Sequence, residues 1–225
     1  HYSVEAAQKQ SKTDITNHPT DVIFQHLSVK SPMGKILIKD LNLTLTQGNS
    51  LLIQGQSGVG KTTLLRTIAG LWSYAEGKIF CPQHNTLFLS QRPYLPQGNL
   101  LTALYYPDTA ENVDLAKITR VLEQVQLAHL QDRLEQEQDW SRILSLGEQQ
   151  RLAFARLLLH KPKVAFLDEA SASLDEGMEH AMYRLIREEL PNTTIISVGH
   201  RSTLVPLHQQ QLELHTDGSW VFNPH

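Results

Sequence analysis

Gly55-Gln56-Ser57-Gly58-Val59-Gly60-Lys61-Thr62 fits the pattern G-x-x-x-x-G-K-[ST] without a mismatch. Before it, Leu51-Leu52-Ile53 reads as a buried strand; after it, Thr63-Leu64-Leu65-Arg66-Thr67-Ile68-Ala69 reads as a helix. Glycines let the backbone curl until several N–H groups point inward at phosphate oxygens, and the helix N-terminus adds a partial positive charge there. Lys61 is placed to reach the outer phosphates of a nucleoside triphosphate, and the Thr62 hydroxyl can ligate Mg2+. A bare strand-to-helix turn explains the glycines but gives no use to the Lys-Thr pair. The expected phosphate contacts are Gly55, Gln56, Ser57, Gly58, Val59, Gly60, Lys61, Thr62 and Thr63.

The 225 residues suffice for one large domain, or one domain with a substantial insertion. With 40% hydrophobic residues a sizeable core can form, and a net charge of −3 without basic blocks argues against nucleic acid as a partner. Cys81 stands alone, so no intramolecular disulfide is possible, which suits a reducing compartment. No apolar run approaches membrane-spanning length. The chain opens on His1 and reads as a piece of something longer; residues 1–20 are polar, without clear periodicity, and read as a linker or loosely held arm.

From Asp21 to Lys30 and from Ile36 to Thr46 apolar residues recur at roughly every second position, which predicts strands, the second broken near Lys39-Asp40. Short strands follow at Lys78–Phe80 and Thr86–Ser90. The character then turns helical over about 94–162, with helices predicted at Asn112–Leu127 and Gly147–His160, the latter ended by Pro162. Alternation of β and α resumes with a strand at Val164–Leu167, an amphipathic helix at Leu174–Leu190 and a strand at Thr193–Val198. Gln211–His215 and Ser219–Phe222, separated by Asp217-Gly218, read as a hairpin.

The strand Val164-Ala165-Phe166-Leu167 ends in Asp168-Glu169. A strand buried on both faces carries carboxylates only where they serve a site at its end. An acid so placed in a P-loop enzyme holds magnesium, which suits Asp168; Glu169 is then positioned to polarise the attacking water. An ordinary surface turn also ends in acids, and the phosphate loop upstream is what favours the catalytic reading.

With the motif order of the loop at 55–62, Gln91, Leu144-Ser145-Leu146-Gly147-Glu148, Asp168-Glu169, Asp175 and His200, the chain resembles the ATP-binding cassette ATPases over about residues 21–215. The resemblance implies an α/β P-loop NTPase fold: a mixed sheet with an antiparallel β subdomain and an inserted helical subdomain. It also implies binding and hydrolysis of ATP with Mg2+. Gln91 would contact the metal and the attacking water, and the loop after it, with Tyr94 and Leu95, would meet a transmembrane partner. Ser145, Gly147 and Glu148 would meet the nucleotide of a second copy in a head-to-tail dimer. His200 would touch the γ-phosphate, and Ser171-Ala172-Ser173-Leu174-Asp175 would be a dimer-contact loop. Leu146 and Glu148 depart from the usual signature, where Gly and Gln stand. Ser145-Leu146-Gly147-Glu148 also reads as a capping box, and Asp175 as a helix N-cap.

The aromatic residue on which adenine usually stacks falls near Ser31-Pro32 and is missing; Tyr2 is a candidate replacement. Asp139-Trp140-Ser141-Arg142, Gly70-Leu71-Trp72 and Gln91-Arg92-Pro93-Tyr94 look like the fused half-transporters of the bacterial cobalamin and peptide uptake type, and like the peroxisomal acyl-CoA type. That implies a membrane domain N-terminal to this segment and a place at the cytoplasmic face of a membrane. The alternatives are a soluble cassette ATPase with no role in transport, and a weakly hydrolysing nucleotide sensor.

Overall fold

The computed structural model describes residues 12–224, which form two compact units. The first contains residues 12–88, 163–169 and 192–224; the second contains 89–162 and 170–191.

The first unit is built on two sheets. β2 (Val22–Lys30) pairs antiparallel with both β3 (Ile36–Leu45) and β5 (Ala75–Cys81), while β1 (Lys12–Asn17) adds to β5 in parallel. The break expected at Lys39-Asp40 is a left-handed Asp40 (φ 54°) inside a continuous β3, at a shift of register against β2. β1 lies within the stretch read as a linker. Ile15 is its single apolar residue, so the strand shows no alternation; Ile15 packs on the core, and the ladder to β5 supplies the rest. Residues 1–11, with Tyr2, lie outside the described residues.

The second sheet has the order β10-β9-β4-β8-β7-β6, from β4 (Ser50–Gln54), β6 (Thr86–Ser90), β7 (Val164–Asp168), β8 (Thr194–Val198), β9 (Gln210–Leu214) and β10 (Trp220–Asn223). β9, β4, β8 and β7 run parallel, and β10 closes the edge as an antiparallel hairpin with β9. β4 and β8 are buried at every position, so they show no alternation, and each carries a run of apolar or β-branched residues (Leu51–Ile53, Thr194–Ile196). Helix α1 (Lys61–Ile68) turns Leu64, Leu65, Thr67 and Ile68 inward and packs on β2, β5, β7 and β8. One core thus joins both sheets, with Phe24, Leu27 and Ile38 from one and Leu51, Ile53, Phe166 and Ile196 from the other.

The second unit is helical: α2 (Leu100–Tyr105), α3 (Leu115–Gln124), a 3-10 turn (Ala128–Arg133), α4 (Trp140–Ile143), α5 (Leu146–His160) and α6 (Glu176–Glu189). α5 is its axis and packs on α2, α3 and α6. The sequence reading ended the helical part at Pro162; 170–191 joins the same unit because α6 sets Met182, Tyr183 and Ile186 inward, with Tyr183 edge-on to Phe154 at 5.8 Å.

Candidate nucleotide site

The phosphate loop starts where β4 leaves the sheet. Gly55 has φ +149°, and a Cβ there would lie 2.7 Å from both Leu214 O and Val59 Cγ1, so only glycine fits. Val59 is buried in the core and pins the far side of the loop, and its amide donates to Gln56 O at 3.2 Å. Gly60, left-handed at φ 108°, opens α1, and no side chain caps that start. The first-turn amides therefore keep their donor capacity for an anion.

Two polar contacts organise the loop. Lys61 Nζ donates to Gly55 O at 2.8 Å and so crosses the loop. Thr62 donates its hydroxyl to Asp168 Oδ1 at 3.0 Å, linking the first turn of α1 to the end of β7. These are adjacent hard oxygen donors, one hydroxyl and one carboxylate. Such a pair fits Mg2+, which takes one or two carboxylates and completes its shell with phosphate oxygens and water.

Glu169 follows Asp168 in the left-handed region (φ 54°), an uncommon state for a side chain of this kind. Its amide donates to Val198 O at 2.9 Å, which holds the turn to the end of β8. Gly199 comes next, where a Cβ would lie 2.3 Å from Leu204 Cδ1, and then His200. A crevice of about 430 Å³ collects Gly55, Gln56, Lys61, Glu169 and His200 from the predicted set. Gln54, Gly199 and Glu213 line it as well and were not predicted. Gln54 carries a signal in sequence, as the last residue of the strand before the loop. Glu213 carries none: it reaches the crevice because β9 pairs with β4 in parallel, with Glu213 opposite Gln54.

Gln91, Ser145, Gly147 and Glu148 belong to the helical unit. Gln91 is exposed beyond β6, and its carbonyl accepts from Gln150 Nε2 at 2.8 Å. The capping box is complete: Ser145 Oγ accepts from Glu148 N at 3.1 Å, and Glu148 Oε1 accepts from Ser145 N at 2.9 Å. Glu148 Oε2 also meets His129 Nε2 at 3.0 Å. Burial by itself would raise the Glu148 carboxyl, but the bonds from Ser145 and His129 outweigh it and hold the group below the usual glutamate range. Asp175 serves as the N-cap of α6, with Oδ1 accepting from Met178 N at 2.7 Å.

Ser145→Ala is expected to lower stability by about 1 kcal/mol, measured as a shift in urea midpoint. Glu148 has a depressed folded pKa, so its contribution is complete above about pH 4.3, the ordinary glutamate value, and is lost as pH falls through the lower folded value. Destabilisation by Ser145→Ala should therefore shrink as acid protonates Glu148; a difference that stays constant through that protonation would count against the reciprocal cap.

Phe24 is 1% exposed and belongs to the core, so it is not available to a base. Tyr94 is 60% exposed on the loop after Gln91, its ring edge-on to Tyr106 at 5.0 Å. Arg156 holds that loop, with Nη2 on Tyr94 O at 2.6 Å and Nε on Ala103 O at 2.7 Å. Burial pulls the guanidinium down to about 10, which leaves it charged at neutral pH.

The family model described as ABC transporter matches residues 38–172. An uncharacterized ABC transporter ATP-binding protein of Haemophilus influenzae is 68% identical over 97% of this chain and 37% of its own length. The lysosomal cobalamin transporter ABCD4 of Mus musculus is 42% identical over 91% of this chain and 36% of its own. ABC transporter D family member 1 of Arabidopsis thaliana is 37% identical over 95% of this chain and 17% of its own. The chain thus spans only a minor part of these relatives' length. The family model over residues 38–172 and these relatives, on a P-loop fold with the Thr62–Asp168 contact and the capped helix at Ser145, make the chain a member of the ABC transporter family.

Proposed function

We propose that this chain is the ATP-binding and ATP-hydrolysing part of a membrane transporter, whose turnover drives a substrate through a transmembrane domain joined to it. The Thr62–Asp168 contact carries this reading, because it sets two magnesium-competent oxygens beside Lys61 and the loop amides. Lys61 and the amides of residues 55–63 stabilise charge on the transferred phosphoryl group, the term that usually dominates such catalysis. Thr62 and Asp168 would hold Mg2+, joined by Gln91, and the ion would supply positive charge to offset that of the phosphates. Glu169 takes the proton of the attacking water, Gln91 orients that water, and His200, which lines the same crevice as Glu169, meets the γ-phosphate.

The helix start at Ser145, Gly147 and Glu148 would face the nucleotide of a second copy. Twofold symmetry then closes two sites at once in a head-to-tail dimer. The names of the relatives, which include a cobalamin transporter, support coupling to transport; on this reading the chain works at the cytoplasmic face of a membrane. Release of phosphate from Mg·ATP, faster when the chain is joined to its membrane part, is the expected result. Binding of ATP without release at any protein concentration would sink the hydrolytic part of the reading.

A further inference from the structure

Gln150 lies on α5 with none of its surface exposed. Its side-chain amide is used in two directions. Nε2 donates to Gln91 O at 2.8 Å, and Oε1 accepts from Ser173 N at 2.9 Å. The partners stand 59 residues before it and 23 after it in sequence. All three belong to the helical unit.

Each partner loop has a second fastening in that unit. Arg156, further along α5, grips Tyr94 O in the segment that begins at Gln91. Ser171 donates its hydroxyl to the buried Glu179 carboxylate of α6, and Leu174 N closes a turn on Ser171 O at 3.0 Å. Ser173 O in turn lies close against Gly147, where an added Cβ would stand at 3.4 Å. The two loops and the first turn of α5 therefore meet around one side chain.

We propose that Gln150 is a positioning residue that couples the Gln91 loop to the Ser171–Leu174 turn, so that displacement of one moves the other together with the start of α5. The coupling rests on the reading above, in which Gln91 and the residues around Ser145 take part in ATP turnover. The chemistry requires a carboxamide. At this site one end must donate and the other accept; a carboxylate only accepts, and a thioether does neither usefully. If the Gln91 loop moves alone, the Nε2 donor of a fully buried residue is left without its acceptor, which is costly. Moving α5 and the Ser173 turn with the loop keeps both bonds.

The test uses the full chain and two substitutions. Gln150→Glu, measured at a pH where its carboxyl is ionised, keeps the acceptor for Ser173 N and removes the donor to Gln91 O. Gln150→Met keeps the side chain's length and removes both. Steady-state ATP turnover of Gln150→Glu is expected to show kcat lowered by roughly 10- to 100-fold, the scale of a small misplacement, with KM for ATP within about twofold. Hydrogen exchange should accelerate at residues 91–98 in Gln150→Glu, and at both 91–98 and 171–174 in Gln150→Met. A merely structural role would lower the melting temperature without splitting kcat from KM per folded molecule, and that result overturns the coupling. So does unchanged exchange at 91–98 in Gln150→Met. Absence of turnover in the unaltered chain would refute the proposed activity instead, and the exchange comparison would still decide the coupling.

Discussion

Glu169→Gln is expected to leave Mg·ATP binding intact and to slow phosphate release by about 100- to 10,000-fold, the range for loss of a positioned general base. The substitution keeps side-chain size and the backbone bond from residue 169 to Val198 O, so the turn beyond β7 stays in place. What it removes is a carboxylate at the wall of the crevice that also holds Lys61 and His200. Because ATP binds but does not turn over, two copies closed around two nucleotides should persist. Light scattering with Mg·ATP should report a long-lived dimer that the unaltered chain forms only transiently. Unchanged turnover would take the base role away from Glu169 and leave His200 to be tested.

Lys61→Ala should weaken Mg·ATP binding by about 10- to 100-fold, the scale of one hydrogen bond to a charged group. The ammonium is the single side-chain cation of the phosphate loop, and it bonds Gly55 O at 2.8 Å across the loop's mouth. Loss of that bond alone has little effect on folding, since Val59 and the buried face of α1 still hold the loop. Calorimetric titration of the unaltered and substituted chains checks this. Undiminished affinity would overturn the assignment of the phosphate site.

Much of the site could be read residue by residue because each motif is local. The loop at 55–62 needs glycine at Gly60 for a left-handed start to α1 and at Gly55 for a close approach to Val59, reasons set within a few residues, although the distant Leu214 O crowds Gly55 as well. The capping box at Ser145 and Glu148 and the N-cap at Asp175 are likewise short-range contacts, and both form as spaced. The strand β6 has the predicted bounds. β1 was not legible, because an edge strand with one apolar residue has no alternation to show, and its partner β5 lies far along the chain.

Sequence alone determined the P-loop fold class, the phosphate loop and the acids that follow an apolar strand, since each is written in neighbouring residues. Tertiary structure decided that Thr62 bonds Asp168, that Glu213 enters the crevice, that 170–191 joins the helical unit, and that Gln150 bridges two loops. These contacts depend on strand order and on how α6 docks against α5. The backbone ladders and the buried faces that set them join residues distant in the chain, and such pairings leave no periodic trace in either partner.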